Sequence, residues 1–562
     1  MRLHPWVFRV GCLLVLAGLL APVAASAQRA APPLRRAAQL ISTQGLKADL
    51  AFLASPDLVG RDTGSVGDHV AEDFIAERFQ RLGLKPMGDD GTYFQHMIIL
   101  TAKVDRAHTA LTAQIAGAQH SFTYGRDYYP VRSSIRNATG CGPVAFAGYG
   151  INAPEYGYDD FAGMDLKGKV ALVLNREPQA DNPHSKFMGA WDTYHAFSRE
   201  KIEALRKQGV AGLLMIRDRV RRHVLPIPAS APRARGGPTY ALEGQMWDIP
   251  VFSISRAVAD QLLAPSGKTA DQLQAQIDAS LKPDSFLVPH ATACVSKAFT
   301  DIEPHDGRNV AALLPGTDPA LRNTYVLVTA HHDHMGERNG QIYYGADDDG
   351  SGVAAVMETA RAFVRGGIHP RRSILFLTFD GEERIWLGSY YYVTHPLVPL
   401  RATVADLNMD MIGRNEDDPN WPVPPDHNVN MVNVLGTRYN PALAAVIDRE
   451  NHGIGLKLDY KMDRVAPDSL WARSDQFWFA VLHVPQVEFQ TGLHPDYHTA
   501  NDTWQRINYP KLTRIVRLIF LSVNQLGESS QRIPFDAAGA PPGVTQPGRP
   551  PAGREAGGEK VP

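Results

Sequence analysis

The sequence predicts an α/β fold: a mostly parallel central sheet covered by helices on both faces, with a smaller β-rich α/β block set into it. From about Arg308 onward, strand, loop and helix patterns alternate, as expected for a parallel sheet with crossover helices. Between Gly142 and about Leu263 the texture differs, with short apolar runs punctuated by Gly and Pro and none of the clustered His and acidic residues found later. The 562 residues, 44% of them hydrophobic, are enough for more than one core, since a domain takes roughly 100–200 residues.

Residues 1–27 read as an export signal. Arg2 and Arg9 flank the start of an eleven-residue apolar run, Val10 to Leu20, and Ala25-Ser26-Ala27 is a small-residue cleavage site. That run is shorter than the ~20 residues a membrane helix needs, and no later segment is longer. The expected product is periplasmic or secreted, without a stable membrane span. Residues from about 40 to 86 read as helix, with Ala71, Phe74, Ile75, Phe79 and Leu82 on one face and Gly83 as the stop. In the following block, residues 144–150, 170–174, 210–216 and 249–255 read as strands around one evident helix, Arg199 to Gln208. The basic, Pro-rich stretch from Asp218 to Gly237 reads as a surface loop.

In the last part, Tyr325 to Ala330 and Ser373 to Phe379 are continuous apolar runs of the kind buried on both faces. Between them a helix from Ser351 places Val353, Val356, Met357, Ala360, Phe363 and Val364 at helical spacing, with Gly366-Gly367 beyond its end. Residues 537–562 hold six prolines and six glycines and are expected to be disordered. With 57 basic and 59 acidic side chains the net charge is −2, which argues against a nucleic-acid partner bound through a basic surface. Cys12 leaves with the signal; Cys141 and Cys294 can form one disulfide or stay as two thiols, and are too few for a cysteine-built metal site.

Open α/β sheets bind ligands at the carboxyl ends of their strands. His331-His332-Asp333-His334 follows the first apolar run, and Asp380-Gly-Glu382-Glu383 follows the second. Asp347-Asp348-Asp349 opens the helix between them; one Asp suffices as an N-cap, and the helix dipole offsets only part of the repulsion among three. Asp410 in Asn408-Met-Asp410 and His498 in His494-Pro-Asp-Tyr-His498 complete the set. His and carboxylate donors without thiolates suit Zn²⁺, with Mn²⁺ or Co²⁺ as possible substitutes. More than four such residues imply two ions per chain. Gly267-Lys268-Thr269 resembles the end of a phosphate loop, but position 262 is Leu where Gly is needed. No H-E-x-x-H or G-x-S-x-G motif is present.

These motifs, together with the Ser55 to Arg61 segment, resemble metallopeptidase family twenty-eight, which includes di-zinc aminopeptidases and glutamate carboxypeptidase. The block from 142 to about 295 resembles the protease-associated domain often inserted in that family. The resemblance implies a zinc exopeptidase fold divided as a signal at 1–27, an N-terminal part of the peptidase domain at 28–140, the protease-associated insertion at 141–295, the catalytic domain at 296–530 and a loose tail at 531–562. It implies that His331, Asp348, Glu383, Asp410 and His498 bind two Zn²⁺, Asp348 bridging them, and that a cis peptide joins Asp348 to Asp349. Glu382 takes the general-base position. Asp333 orients His331, and Asp349 and Asp475 stand behind the ligands or on the site wall. Two such ions can share a water and lower its pKa.

The implied function is an exported aminopeptidase acting on peptide substrates. Alternatives on the same fold are a carboxypeptidase for acidic dipeptides, a single-zinc glutaminyl cyclase and an inactive receptor module. The cyclase is disfavoured because both Glu382 and Glu383 are present, and the receptor because no ligand position is lost. A carboxypeptidase needs a cation for the substrate carboxylate, and Arg384, Arg414, Arg464 and Arg473 are the candidates. His332 and His334 are read as cleft-lining or locally hydrogen-bonded residues, and Trp386 as a pocket wall.

Overall fold

A computed structural model describes residues 33–535, apart from 132–134, 181, 183, 188–192, 218–238, 244–246, 418–427, 465–469 and 472. The export signal, the basic loop and the Pro/Gly-rich tail at 537–562 lie outside the described residues.

The larger sheet has ten strands and is mixed. Its centre is parallel: Ser373–Phe379, Tyr325–His331, Thr403–Met409 and Gln486–Gln490 lie side by side in that order. Antiparallel strands flank them, Phe299–Leu314 and Phe94–Val104 on one side and Met431–Leu435 on the other. The central strands are buried almost throughout, which is why their sequences are continuous apolar runs rather than alternating ones. On one face Val326, Val328, Ile374 and Phe376 pack against helices including Gly352–Gly366 and Tyr509–Glu528. On the other, Leu327, Leu375 and Phe379 meet Leu387–Thr394 and Gln476–Val481. Each fully buried Phe, Leu or Val contributes roughly 1.5–3 kcal/mol, so the sheet is a rigid platform.

The helix expected over 40–86 is broken. It forms as Thr43–Leu53 and Val66–Leu82, separated by a single turn at Pro56–Leu58. Ser55-Pro56 disfavours helical backbone before the proline. Gly60 and Gly64, at φ 76° and 66°, turn the chain further. Gly83 does end the second helix, in the left-handed conformation.

An eight-stranded second sheet is built from strands between Ala110 and Lys297, so its first strands precede the boundary expected at 141. It carries the expected strands as Ala138–Phe146, Val170–Leu174, Gly212–Ile216 and Val251–Ile254, and the helix as Ser198–Lys207. Two further helices, Arg256–Leu263 and Ala270–Ser280, cover its other face. Gly267-Lys268-Thr269 is the joint between them: Gly267 is left-handed, and Thr269 with Gln272 forms a capping box. Cys141 and Cys294 are register partners on adjacent strands and form a disulfide.

The two sheets meet through a hairpin. Phe94–Val104 and Phe299–Leu314 run antiparallel with Val104 opposite Phe299, and the second sheet occupies the chain between them. One strand of that intervening chain, Thr239–Leu242, crosses back and pairs with Phe94–Val104 in the larger sheet.

Candidate metal centre

Most of the predicted site residues stand at or beyond the carboxyl ends of strands in the larger sheet. His331 is the last residue of Tyr325–His331. Glu382 and Glu383 open the single turn Glu382–Arg384, which follows Ser373–Phe379. Asp410 immediately follows Thr403–Met409, and His498 lies after Gln486–Gln490. Asp348 sits in the wide turn Ala346–Ser351 that leads into Gly352–Gly366. Four adjacent parallel strands thus deliver residues 167 positions apart in the chain (331 to 498) to one place.

The atoms converge. His331 Nε2 is 3.3 Å from Asp348 Oδ1 and 3.7 Å from Asp410 Oδ1. His498 Nε2 is 3.0 Å from Asp348 Oδ2 and 3.1 Å from Glu383 Oε1. Asp348 therefore stands between a His331–Asp410 pair and a His498–Glu383 pair. A cis peptide joins Asp348 to Asp349. His331 Nε2, Asp348 Oδ2, Glu383 Oε1 and Asp410 Oδ1 are buried without a hydrogen-bond partner. Buried polar atoms are normally paired, so a cluster of inward-facing orphans of metal-binding type fits bound cations. Glu382, on the open side, has Oε2 3.8 Å from His331 Nε2.

Electrostatics follow from this crowding. Burial opposes the charged form of His498, yet Glu383 and Asp348 outweigh it and raise its pKa to about 10. His331 is likewise raised against its burial by Glu382, Asp333, Asp348 and Asp410. Burial, reinforced by Glu383 and Asp410, pushes Glu382 well above the carboxylate range. Asp348 goes the other way: burial and Glu383 would raise it, but His331, His498 and His334 hold it low.

The supporting residues act mostly on backbone. Asp349 accepts hydrogen bonds from the amides of His331, Gly352 and Met411, tying together three segments that carry converging residues. Asp333 contacts His331 chiefly through its carbonyl, 3.2 Å from Nδ1, with its carboxylate at 3.6 Å. That carboxylate accepts from the Glu382 amide and from Thr63. Asp475 is wholly buried at the start of Gln476–Val481, and burial raises it to about 7. His332 turns away from this cluster, its Nδ1 against Thr378. His334 does not: its Nδ1 is 2.9 Å from Glu383 Oε1.

Several positioning residues have roles that the sequence motifs do not assign to them. Arg61, fully buried, donates to the carbonyls of His332, Tyr344, Gly345 and Leu53, clamping the turn after Pro56–Leu58 to two ligand loops. Asp502 accepts from the amides of Asp347 and Asp348. Asp347 accepts from Gly413 and faces His494 Nε2 at 3.2 Å. Tyr497 stacks on His498. The cavity beside Glu382 and Asp410 is lined by Met411, Leu470, Arg473, Gln490 and Tyr497. Of the candidate cations, Arg384 pairs with Asp62 and Arg414 with Asp496. The side chain of Arg464 lies outside the described residues. Arg473 lines the cavity and donates to the Tyr497 hydroxyl at 3.2 Å.

Residues 309–523 match the model of peptidase family M28, and residues 128–262 match the PA domain. The part of the chain that carries the converging residues is thus similar to peptidase family M28. The M28 match contains all five converging residues and Glu382. Among curated relatives, leupeptin-inactivating enzyme 1 of Streptomyces exfoliatus is 38% identical over 108 residues, 19% of this chain and 23% of that protein. A probable glutamate carboxypeptidase of Arabidopsis thaliana is 24% identical over 292 residues, 50% of this chain and 39% of that one. The chain thus spans well under half the length of these relatives. Among solved structures, an aminopeptidase from Aneurinibacillus sp. strain AM-1 aligns with a TM-score of 0.49 at 18% identity, covering 89% of this chain and 97% of that one. A zinc aminopeptidase from Bacillus subtilis aligns with a TM-score of 0.42 at 16% identity, covering 88% and 97%.

Proposed function

We propose that the protein is an exported zinc-dependent aminopeptidase that removes N-terminal residues from peptides, with two Zn²⁺ per chain. The observation that carries this is the set of orphaned, inward-facing atoms on His331, Asp348, Glu383 and Asp410, with His498 closing the group. His331 and Asp410 would hold one ion and His498 and Glu383 the other, with Asp348 shared. When bound, the ions supply Lewis acidity for the attacking water and the scissile carbonyl. Glu382 would accept the proton of the attacking water and return it to the leaving amine. Asp333 fixes the Glu382 backbone, and the Tyr497 ring holds the His498 imidazole in place. Export is supported by the Cys141–Cys294 disulfide, which persists in oxidising compartments. Among the described residues no helix is long and apolar enough to cross a membrane.

A second reading rests on Arg473, whose place in the cavity wall would suit the carboxylate of an acidic residue or of a peptide C-terminus. Both readings are tested on zinc-reconstituted protein with aminoacyl anilides beside N-blocked peptides. Cleavage confined to free amines supports the aminopeptidase. Turnover of N-blocked, free-C-terminal substrates, lost in Arg473→Ala, supports the carboxypeptidase instead.

A further inference from the structure

A second buried cluster lies beside the catalytic one, and the chemistry proposed above does not use it. Asp68 and Glu72, four residues apart on Val66–Leu82, face His332 and Asp380 from two neighbouring strand ends. All four side chains are buried. One ligand atom from each lies within 4.8 Å of the others.

In each residue one polar atom is committed elsewhere and the other points inward. Asp68 Oδ2 accepts from the Gly64 amide, leaving Oδ1. Asp380 Oδ2 accepts from the Arg308 amide at 3.3 Å, leaving Oδ1. Glu72 Oε2 pairs with Arg308 at 2.5 Å, leaving Oε1. His332 Nδ1 is 3.0 Å from Thr378 Oγ1, leaving Nε2, which lies 3.5 Å from Glu72 Oε1 and 3.9 Å from Asp68 Oδ1. Those four remaining atoms have no hydrogen-bond partner. Arg308 pairs with Glu72 and the buried Arg61 lies near Asp68, so three carboxylates still outnumber two cations around a neutral imidazole, and their unpaired atoms are costly to bury without a further positive charge.

We propose that Asp68 Oδ1, Glu72 Oε1, His332 Nε2 and Asp380 Oδ1 bind a further divalent cation, separate from the pair at Asp348. One imidazole and three carboxylate oxygens suit Zn²⁺ or Mn²⁺ better than Ca²⁺, which takes six to eight oxygen ligands. The ion would neutralise the cluster and fasten the Val66–Leu82 helix to the strand ends that carry His331 and Glu382. Its role is structural, since none of its ligands faces the cavity.

The test is anomalous diffraction from crystals of the full chain grown with Zn²⁺, and with Mn²⁺, joined to metal analysis of protein in solution. The expected result is a peak enclosed by these four side chains, and a metal content about one ion per chain lower in both Glu72→Gln and Asp68→Asn than in the wild type. Thermal unfolding of the wild type should also fall on chelation by more than that of the variants. No peak there at saturating Zn²⁺ and Mn²⁺, with content unchanged in the variants, would overturn the site. Should neither variant fold, the wild-type map decides alone. Because the peak is read at this position, the outcome does not depend on how many ions the catalytic centre holds.

Discussion

Glu382 reaches the converging site without belonging to either His–carboxylate pair, so its removal separates binding from turnover. Glu382→Ala should bind as much metal as the wild type, measured by metal analysis, while kcat falls by about 10²–10⁴-fold, the range usual for a lost general base. Near-normal turnover would refute its role. Metal loading should itself depend on pH. Without metal, His331 and His498 are held protonated, His498 with a pKa of about 10, and binding must expel those protons. The folded-state pKa values are raised, so proton competition strengthens as pH falls. Apparent Zn²⁺ affinity should rise between pH 6 and 8 by about tenfold per unit for each proton displaced, measured by chelator competition. At this scale the residues that converge could be picked out from sequence because metal-binding side chains come from few residue types and these stand next to apolar runs. The roles of Arg61, Asp347 and Asp502 could not be read, since these residues act on backbone amides and carbonyls that only the fold brings near.

Ligand geometry depends on how closely the elements pack. Gly352, the first residue of the helix after the triple-Asp turn, leaves no room for a side chain: a Cβ would stand 2.4 Å from the Asp349 carboxylate and 2.7 Å from the Met409 carbonyl. Gly352→Ala should cost about 1–3 kcal/mol in denaturant unfolding, as overpacked core sites do. It should weaken metal binding as well, because Asp349 spans three segments that carry converging residues. If stability and metal affinity both stayed within error, that close approach would be irrelevant. The buried strands were legible because burial on both faces leaves an uninterrupted apolar run, and Ser373–Phe379 forms over the residues expected. The 40–86 helix was overextended because apolar spacing continues through Ser55-Pro56, where backbone restriction overrides it. Ala270–Ser280 carried a visible signal in Thr269 and Gln272, the two halves of a capping box.

The molecule as a whole is stapled as well as packed. Cys141 and Cys294 close a sequence separation of 153 residues across adjacent strands. Replacing both with Ser should lower stability by about 2–5 kcal/mol, read as an earlier urea midpoint, and an unchanged midpoint would show that the staple adds nothing. The composition shift at 142 revealed a second body of structure, but not the hairpin that carries it, because strand pairing between residues nearly two hundred positions apart leaves no local trace. That hairpin bears on any attempt to dissect the protein. Val104 and Phe299 are opposite one another, so a two-residue turn could replace everything between them and leave the catalytic half with closed ends. The excision would also remove Thr239–Leu242 and strip the Phe94–Val104 strand of its outer neighbour. Ile98, already 45% exposed, would then sit on a bare row of unpaired amides and carbonyls, the kind of edge along which chains aggregate. The insertion thus doubles as a guard strip for the sheet that hosts it, and a trimmed catalytic half would need a proline or a lysine on that strand to stay monodisperse.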